Sequence, residues 1–149
     1  MWFVVYPPQY EREIRARIGE FKLETTQAGH GWTCVNVTSA FPEWMAAHEY
    51  REAHFADPED VDWIMDDFER ALADHIRHAL QDADDQTVVA LTGISTLFGL
   101  IYVSDVLEDV KREIGGRLAV FFPGQHRHNA YRLLDARDGW DYLAVPITA

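Results

Sequence analysis

The chain has 149 residues, enough for one domain with a core of its own. Apolar residues make up 48 % of it, as in folded globular chains, and 25 acidic against 13 basic side chains leave a formal charge of −12. That balance argues against direct nucleic-acid binding, which gathers positive charge to neutralise phosphates, and against anionic membranes. A basic partner surface suits it better.

Cys34 is the single cysteine. No intramolecular disulfide can form, which suits a reducing cytosol, and its setting in Trp32-Thr33-Cys34-Val35 predicts a buried, inert thiol on a strand. The opening Met1-Trp2-Phe3-Val4-Val5-Tyr6 lacks the charged region and length of a secretory signal. No apolar run approaches the roughly 18 residues of a membrane span. The expected location is the cytoplasm.

In chain order, Trp2 to Tyr6 reads as a buried strand stopped by Pro7-Pro8. From Gln9 the period is helical: Tyr10, Ile14, Ile18 and Phe21 share a face, Glu11 with Arg15 and Glu13 with Arg17 stand at i,i+4, and Gly29-His30-Gly31 ends the element. Trp32 to Thr38 is a second strand, and Phe41-Pro42-Glu43-Trp44-Met45 opens a short helix. Asp57-Pro58-Glu59-Asp60 has the marks of a helix start, with Val61, Ile64, Met65, Phe68, Leu72, Ile76 and Leu80 on one face after it. Thr87 to Leu91 is a strand broken by Thr92-Gly93. A helix with Val103, Val106, Leu107, Val110 and Ile114 inward then stops at Gly115-Gly116. Arg117 to Phe122 reads as a strand ended by Pro123-Gly124, and Tyr131 to Leu134 and Tyr142 to Ile147 read as late strands around an Asp138-Gly139 turn.

Strands alternating with helices predict a single α/β domain over residues 1–149: a three-layer, mostly parallel sheet of about five strands, Rossmann-like or flavodoxin-like, with helices on both faces. In such sheets ligands bind at the carboxyl ends of the strands. That edge gathers Tyr6-Pro7-Pro8 after the first strand and Thr38-Ser39 after the second, Thr92, Gly93, Ile94, Ser95, Thr96, Leu97, Phe98 and Tyr102 after the third, and Pro123, Gly124, Gln125 and His126 after the fourth.

These loops carry no complete catalytic set. The Thr92–Thr96 stretch has one glycine and no lysine, so it matches neither the P-loop nor the dinucleotide fingerprint. No acid stands at the end of the first strand to hold a metal, and Ser95 lacks the second glycine of a nucleophile elbow. The histidines give weak metal patterns: His75 and His78 stand at i,i+3 on the long helix, where His75 reads as a core-edge imidazole, His126 and His128 alternate after Pro-Gly, and His48 with Glu49, Glu52 and His54 lacks zincin spacing. No catalytic residue, metal site or cofactor is therefore expected. Leu97-Phe98-Gly99-Leu100-Ile101-Tyr102-Val103 is almost wholly apolar just past a strand end, which predicts either a partner surface or the buried start of the next helix.

The order of these marks resembles a known family. Val4-Val5-Tyr6-Pro7-Pro8 before a charged helix, Leu91-Thr92-Gly93 with an apolar loop into Val103-Ser104-Asp105-Val106-Leu107-Glu108, Val120-Phe121-Phe122-Pro123-Gly124, and Tyr142-Leu143-Ala144-Val145 are together similar to the BrxB family of bacterial BREX (bacteriophage exclusion) phage-defence systems. The likeness spans nearly the whole chain. It departs from the family pattern in a shorter middle, Thr38 to Asp57, and in Gln125-His126-Arg127-His128 after Pro-Gly. The resemblance implies a non-catalytic accessory or scaffolding component that binds other defence proteins, among them an alkaline-phosphatase-like protein and an AAA-type ATPase, with self-association left open. The alternative is a small-ligand or nucleotide-binding domain with weak hydrolase activity through Thr92, Ser95, Thr96 and His126.

Overall fold

A computed structural model describes residues 1–49, 51–52, 62–127, 130–134, 140–141 and 144–148. The elements are β1 (Trp2–Tyr6), α1 (Glu11–Gln27), β2 (Gly31–Asn36), α2 (Ala40–Ala47), α3 (Asp62–Gln81), β3 (Thr87–Thr92), α4 (Val103–Val110), β4 (Arg117–Arg127), β5 (Ala130–Leu133), β6 (Trp140–Asp141) and β7 (Val145–Thr148). The expected helix start at Asp57 to Val61 lies outside the described residues, as do the Asp138-Gly139 turn and Tyr142-Leu143.

The fold is α/β. Five strands pair in parallel in the order β2-β3-β4-β1-β7, and β5 and β6 extend β4 antiparallel. The chain leaves β1 for the far edge, β2, then steps back through β3 to β4. Right-handed crossovers in opposite directions must lie on opposite faces. Accordingly α1 packs on one face against Val4, Tyr6, Ala90 and Phe121, while α2, α3 and α4 pack on the other against Phe3, Val5, Val35, Val89, Leu91, Val120 and Phe122.

Alternation along each strand sorts residues between these faces. The register pairs Phe3 with Val120 and Val4 with Phe121, so Phe3 stacks on Phe122 at 5.3 Å on the three-helix side while Phe21 of α1 meets Phe121 edge-on at 5.1 Å on the other. Helix α3 buries Ile64, Phe68, Leu72, Ile76 and Leu80, as its period predicts, and α4 buries Val103, Val106, Leu107 and Val110. Helix α1 ends in a Schellman pair, His30 N–H to Thr25 O and Gly29 N–H to Thr26 O. Tyr10 stands outside α1 as the residue before its first turn and is exposed, so it does not join Ile14, Ile18 and Phe21 on the packed face.

Two expectations are corrected. Pro123-Gly124 does not end β4, which runs on to Arg127. At that point the strand changes partner, from β1 (Tyr6 beside Pro123) to β5 (Gly124 beside Leu133). The Arg132 carbonyl comes so close to Gly124 that a Cβ there would lie 2.0 Å from its oxygen, so glycine is demanded by a close approach within the ladder. The second correction is Cys34, which is exposed. It lies on β2, the outer strand, where Trp32 rather than Cys34 reaches the α1 cluster.

Candidate functional site

The five parallel strands point toward one edge, and the loops after β1, β2 and β3 converge there on a chain of polar contacts. After β1, Pro7 and a turn over Pro8–Tyr10 lead into α1, so Glu11, in its first turn, returns beneath the end of the strand it has just left. The buried Tyr6 hydroxyl donates to Glu11 Oε2 at 2.6 Å, and Ser95, after β3, donates to Glu11 Oε1 over a long 3.4 Å. Arg15, one turn on, lies 3.9 Å from Glu11 Oε1 and donates to the Thr38 hydroxyl, which in turn donates to Asn36 Oδ1 at 2.6 Å. Three loops, after β1, β2 and β3, are thereby tied together.

Burial, the bond to Glu11 and the charge of Glu11 push the Tyr6 phenol far above its usual range, with Arg15 opposing. Tyr6 therefore stays a hydrogen-bond donor and does not offer a proton for acid–base work near neutrality.

Gly93 lies at φ 82°, and a Cβ there would come within 2.4 Å of Thr38 Oγ1 and 3.0 Å of Asn36 Oδ1. Its role is to let the β2 and β3 loops touch, with the left-handed backbone that only glycine takes without strain. The Thr96 hydroxyl donates back to the Gly93 carbonyl at 2.8 Å, across the short turn Ile94–Leu97. The Thr92 hydroxyl is buried 3.9 Å from Cys34 Sγ. His126 stacks on Tyr131 at 4.4 Å, while the Ser95 hydroxyl turns to Glu11, so the nucleophile-and-base arrangement of the alternative hydrolase reading is not among the described contacts.

Exposure divides the sequence-predicted contact residues. Thr92, Gly93, Leu97, Pro123 and Gly124 are buried and hold the edge together from within. Thr96, Phe98, Tyr102 and Gln125 are exposed, with Ser95 and His126 half-buried. The apolar loop is split accordingly: Ile94 and Leu97 turn into the core, while Phe98 and Tyr102 stand 43 % and 75 % exposed. Leu97 and Val103 thus meet the expectation of a buried start to the next helix, while Phe98 and Tyr102 face solvent. Thr38 is expected at this edge, but Glu11, Arg15 and Asn36 are not, and the expected absence of an acid at the end of the first strand is corrected by Glu11, which folds back to the Tyr6 hydroxyl. Glu11 and Arg15 look in sequence like an ordinary surface pair, and the only signal to the contrary is that Glu11 follows a Pro-Pro turn short enough to fold the first helical turn back on β1.

Beside the end of β2 a cleft of about 220 Å³ opens between α2 and α3, lined by Asn36, Ala40, Glu43, Trp44, Phe68, Ala71, Leu72 and His75. His75 is exposed here rather than a core-edge ring, and the His78 Nδ1–H donates to its own helix at Asp74 O, 2.7 Å away. Among the described residues no group of three or more His, Cys, Asp or Glu is placed to hold a metal ion, and no helix is long and apolar enough to cross a membrane. No family model, curated protein or solved structure matches the chain.

Proposed function

We propose that this chain is a non-catalytic accessory component of a BREX-type phage-defence assembly, docking on another defence protein through the strand-end edge. The observation that carries this reading is the exposure of Phe98 and Tyr102 on the loop after β3. Aromatic side chains held out beside a rigid sheet edge are the usual anchors of protein interfaces, where one or two such residues carry most of the affinity. The polar groups of the same edge, Tyr6, Glu11, Arg15, Thr38 and Asn36, are engaged with one another and position the loops. The resemblance adds a second line of support: three of the motifs that carry it, Tyr6-Pro7-Pro8, Thr92-Gly93 and Pro123-Gly124, come from strands that share this edge.

The partner is proposed to be the alkaline-phosphatase-like component or the AAA-type ATPase of such a system, through a surface rich in Lys and Arg that complements a charge of −12. Co-expression with each protein, followed by co-purification, tests it. The wild-type chain is expected to retain one of them, and F98A/Y102A to lose at least about tenfold in affinity, the effect of removing one central anchor. Soluble partners that never co-purify with the wild-type chain would overturn the reading.

A further inference from the structure

We propose that the cleft between α2 and α3 is a receptor for an arginine side chain presented by a partner protein. Its size is the first argument. At about 220 Å³ it falls below the roughly 300 Å³ at which small-molecule sites begin, and suits a single side chain. Ala40 and Ala71 make the space, since any longer side chain at either position would occupy it.

Its chemistry is the second argument. Trp44 forms an aromatic wall, fixed by Phe68 at 5.4 Å, Phe41 at 6.3 Å and His48 at 5.1 Å, so the indole is held in place before anything binds. Glu43 supplies the carboxylate at the rim. Its Oε1 accepts from Ser39 at 2.6 Å, which fixes the group while Oε2 has no partner in the described hydrogen bonds. Among the described residues no Lys or Arg lines the cleft, so an anion would find no counter-charge from them. A purely apolar occupant would strip water from Glu43 and His75 without replacing its hydrogen bonds. A cation satisfies both surfaces: charge to Glu43 and contact with the indole face. Arginine is favoured over lysine because the planar guanidinium stacks on an aromatic ring and sheds its water more readily. The acidity of the whole chain draws such a group in.

The cleft is a surface separate from Phe98 and Tyr102, so the two readings stand or fall apart. The test is a titration of the isotope-labelled full chain with the capped peptide Gly-Arg-Gly, followed by NMR. Saturable shifts are expected at the Trp44 indole and the amides of Ala40, Ala71 and Leu72, with affinity of about millimolar order for so small a ligand. Gly-Lys-Gly should bind more weakly, and Gly-citrulline-Gly, which keeps the shape without the charge, at least about fivefold more weakly. Glu43→Gln should weaken the arginine peptide by a similar factor, and Ala71→Leu should abolish the shifts by filling the space. F98A/Y102A should bind the peptide as the wild type does. Absence of saturable shifts up to about 50 mM peptide, equal binding of the citrulline peptide, or full binding by Glu43→Gln would each overturn the inference. The Glu43 variant decides the matter if Ala71→Leu does not fold, because an exposed carboxylate is not part of the core.

Discussion

The two faces of the sheet are closed in different ways. On one, three helices press a continuous layer of branched and aromatic side chains against the strands, from Phe68, Leu72 and Ile76 of α3 to Val106, Leu107 and Val110 of α4. On the other, α1 is the single helix among the described residues. None of its own residues is buried, and the Val4, Tyr6, Ala90 and Phe121 cluster is covered by Ile14, Ile18 and Phe21, which are themselves only half-buried, with Trp32 of β2 beside them. What α1 lacks in apolar contact it makes up at its first turn, where Glu11 and Arg15 bond to Tyr6, Ser95 and Thr38. One face is held by area, the other by a narrow apolar strip and a polar anchor at the strand-end edge. The loops of the proposed docking surface are therefore set by hydrogen bonds from the less packed side.

Truncation in the two layers gives the largest contrast. Leu107 is fully buried, and Leu107→Ala should cost about 2–5 kcal/mol, from lost transfer energy and the cavity left behind. Phe21→Ala removes a larger side chain from a half-covered position and should cost only about 1–2 kcal/mol, in proportion to the apolar area withdrawn from water. Urea unfolding measures both. Equal costs would show that α1 is as firmly packed as α4 and would break the comparison.

The anchor itself is tested through Tyr6. Tyr6→Phe keeps the ring and removes the bond to Glu11, a loss of about 1.5–3 kcal/mol for a hydrogen bond to a charged acceptor. Its titration gives a second readout. Because the folded state holds the phenolic proton well above the value of an unfolded tyrosine, about 10, the Tyr6 contribution is complete below that pH. It is lost as pH rises further, since the unfolded chain then releases a proton that the folded one retains. Stability should therefore fall above about pH 10, and less steeply in Tyr6→Phe. Tyr131, raised by burial, adds to the same decline, so Y6F/Y131F should flatten it further. An unchanged alkaline slope in Tyr6→Phe would show that the anchor does not hold the proton.

The layered fold was legible because periodicity reports burial directly. The α3 stripe from Ile64 to Leu80 and the α4 set from Val103 to Val110 each face one apolar layer, and the pattern needs no knowledge of what lies opposite. The anchor was not legible, because Glu11 and Arg15 have the same spacing whether they face water or the end of β1. Only the tertiary position of Tyr6 and Thr38 separates the two cases. Pro123-Gly124 misled for a related reason. A missing N–H and a missing side chain look like a terminator, yet here they mark the point where β4 passes from one partner strand to another. An exposed apolar loop was one of two readings, but which of its side chains turn outward depends on the Ile94–Leu97 turn, whose left-handed entry at Gly93 and back-bond from Thr96 no local pattern announces.

The smallest effect lies on the outer surface of the well-packed face, where α3 and α4 meet. Burial first, and then the charges of Asp105, Asp109 and Asp66, raise the Glu69 carboxyl above its usual range. An acid whose folded value is raised weakens the fold once it is ionised. The penalty is absent below the unfolded value of about 4.3 and grows as pH climbs through the folded one. Glu69→Gln should therefore stabilise at neutral pH, within about 0.5 kcal/mol because the group is largely solvated and screened. The gain in melting temperature should shrink as the buffer is taken down toward pH 4 and fade with added salt. The equivalent change on α1, Glu13→Gln, removes an exposed carboxylate with Arg17 one turn away, and no gain is expected there. A stabilisation at Glu13 as large as that at Glu69 would mean that net charge alone is being relieved, and that the α3–α4 surface has no local repulsion of its own.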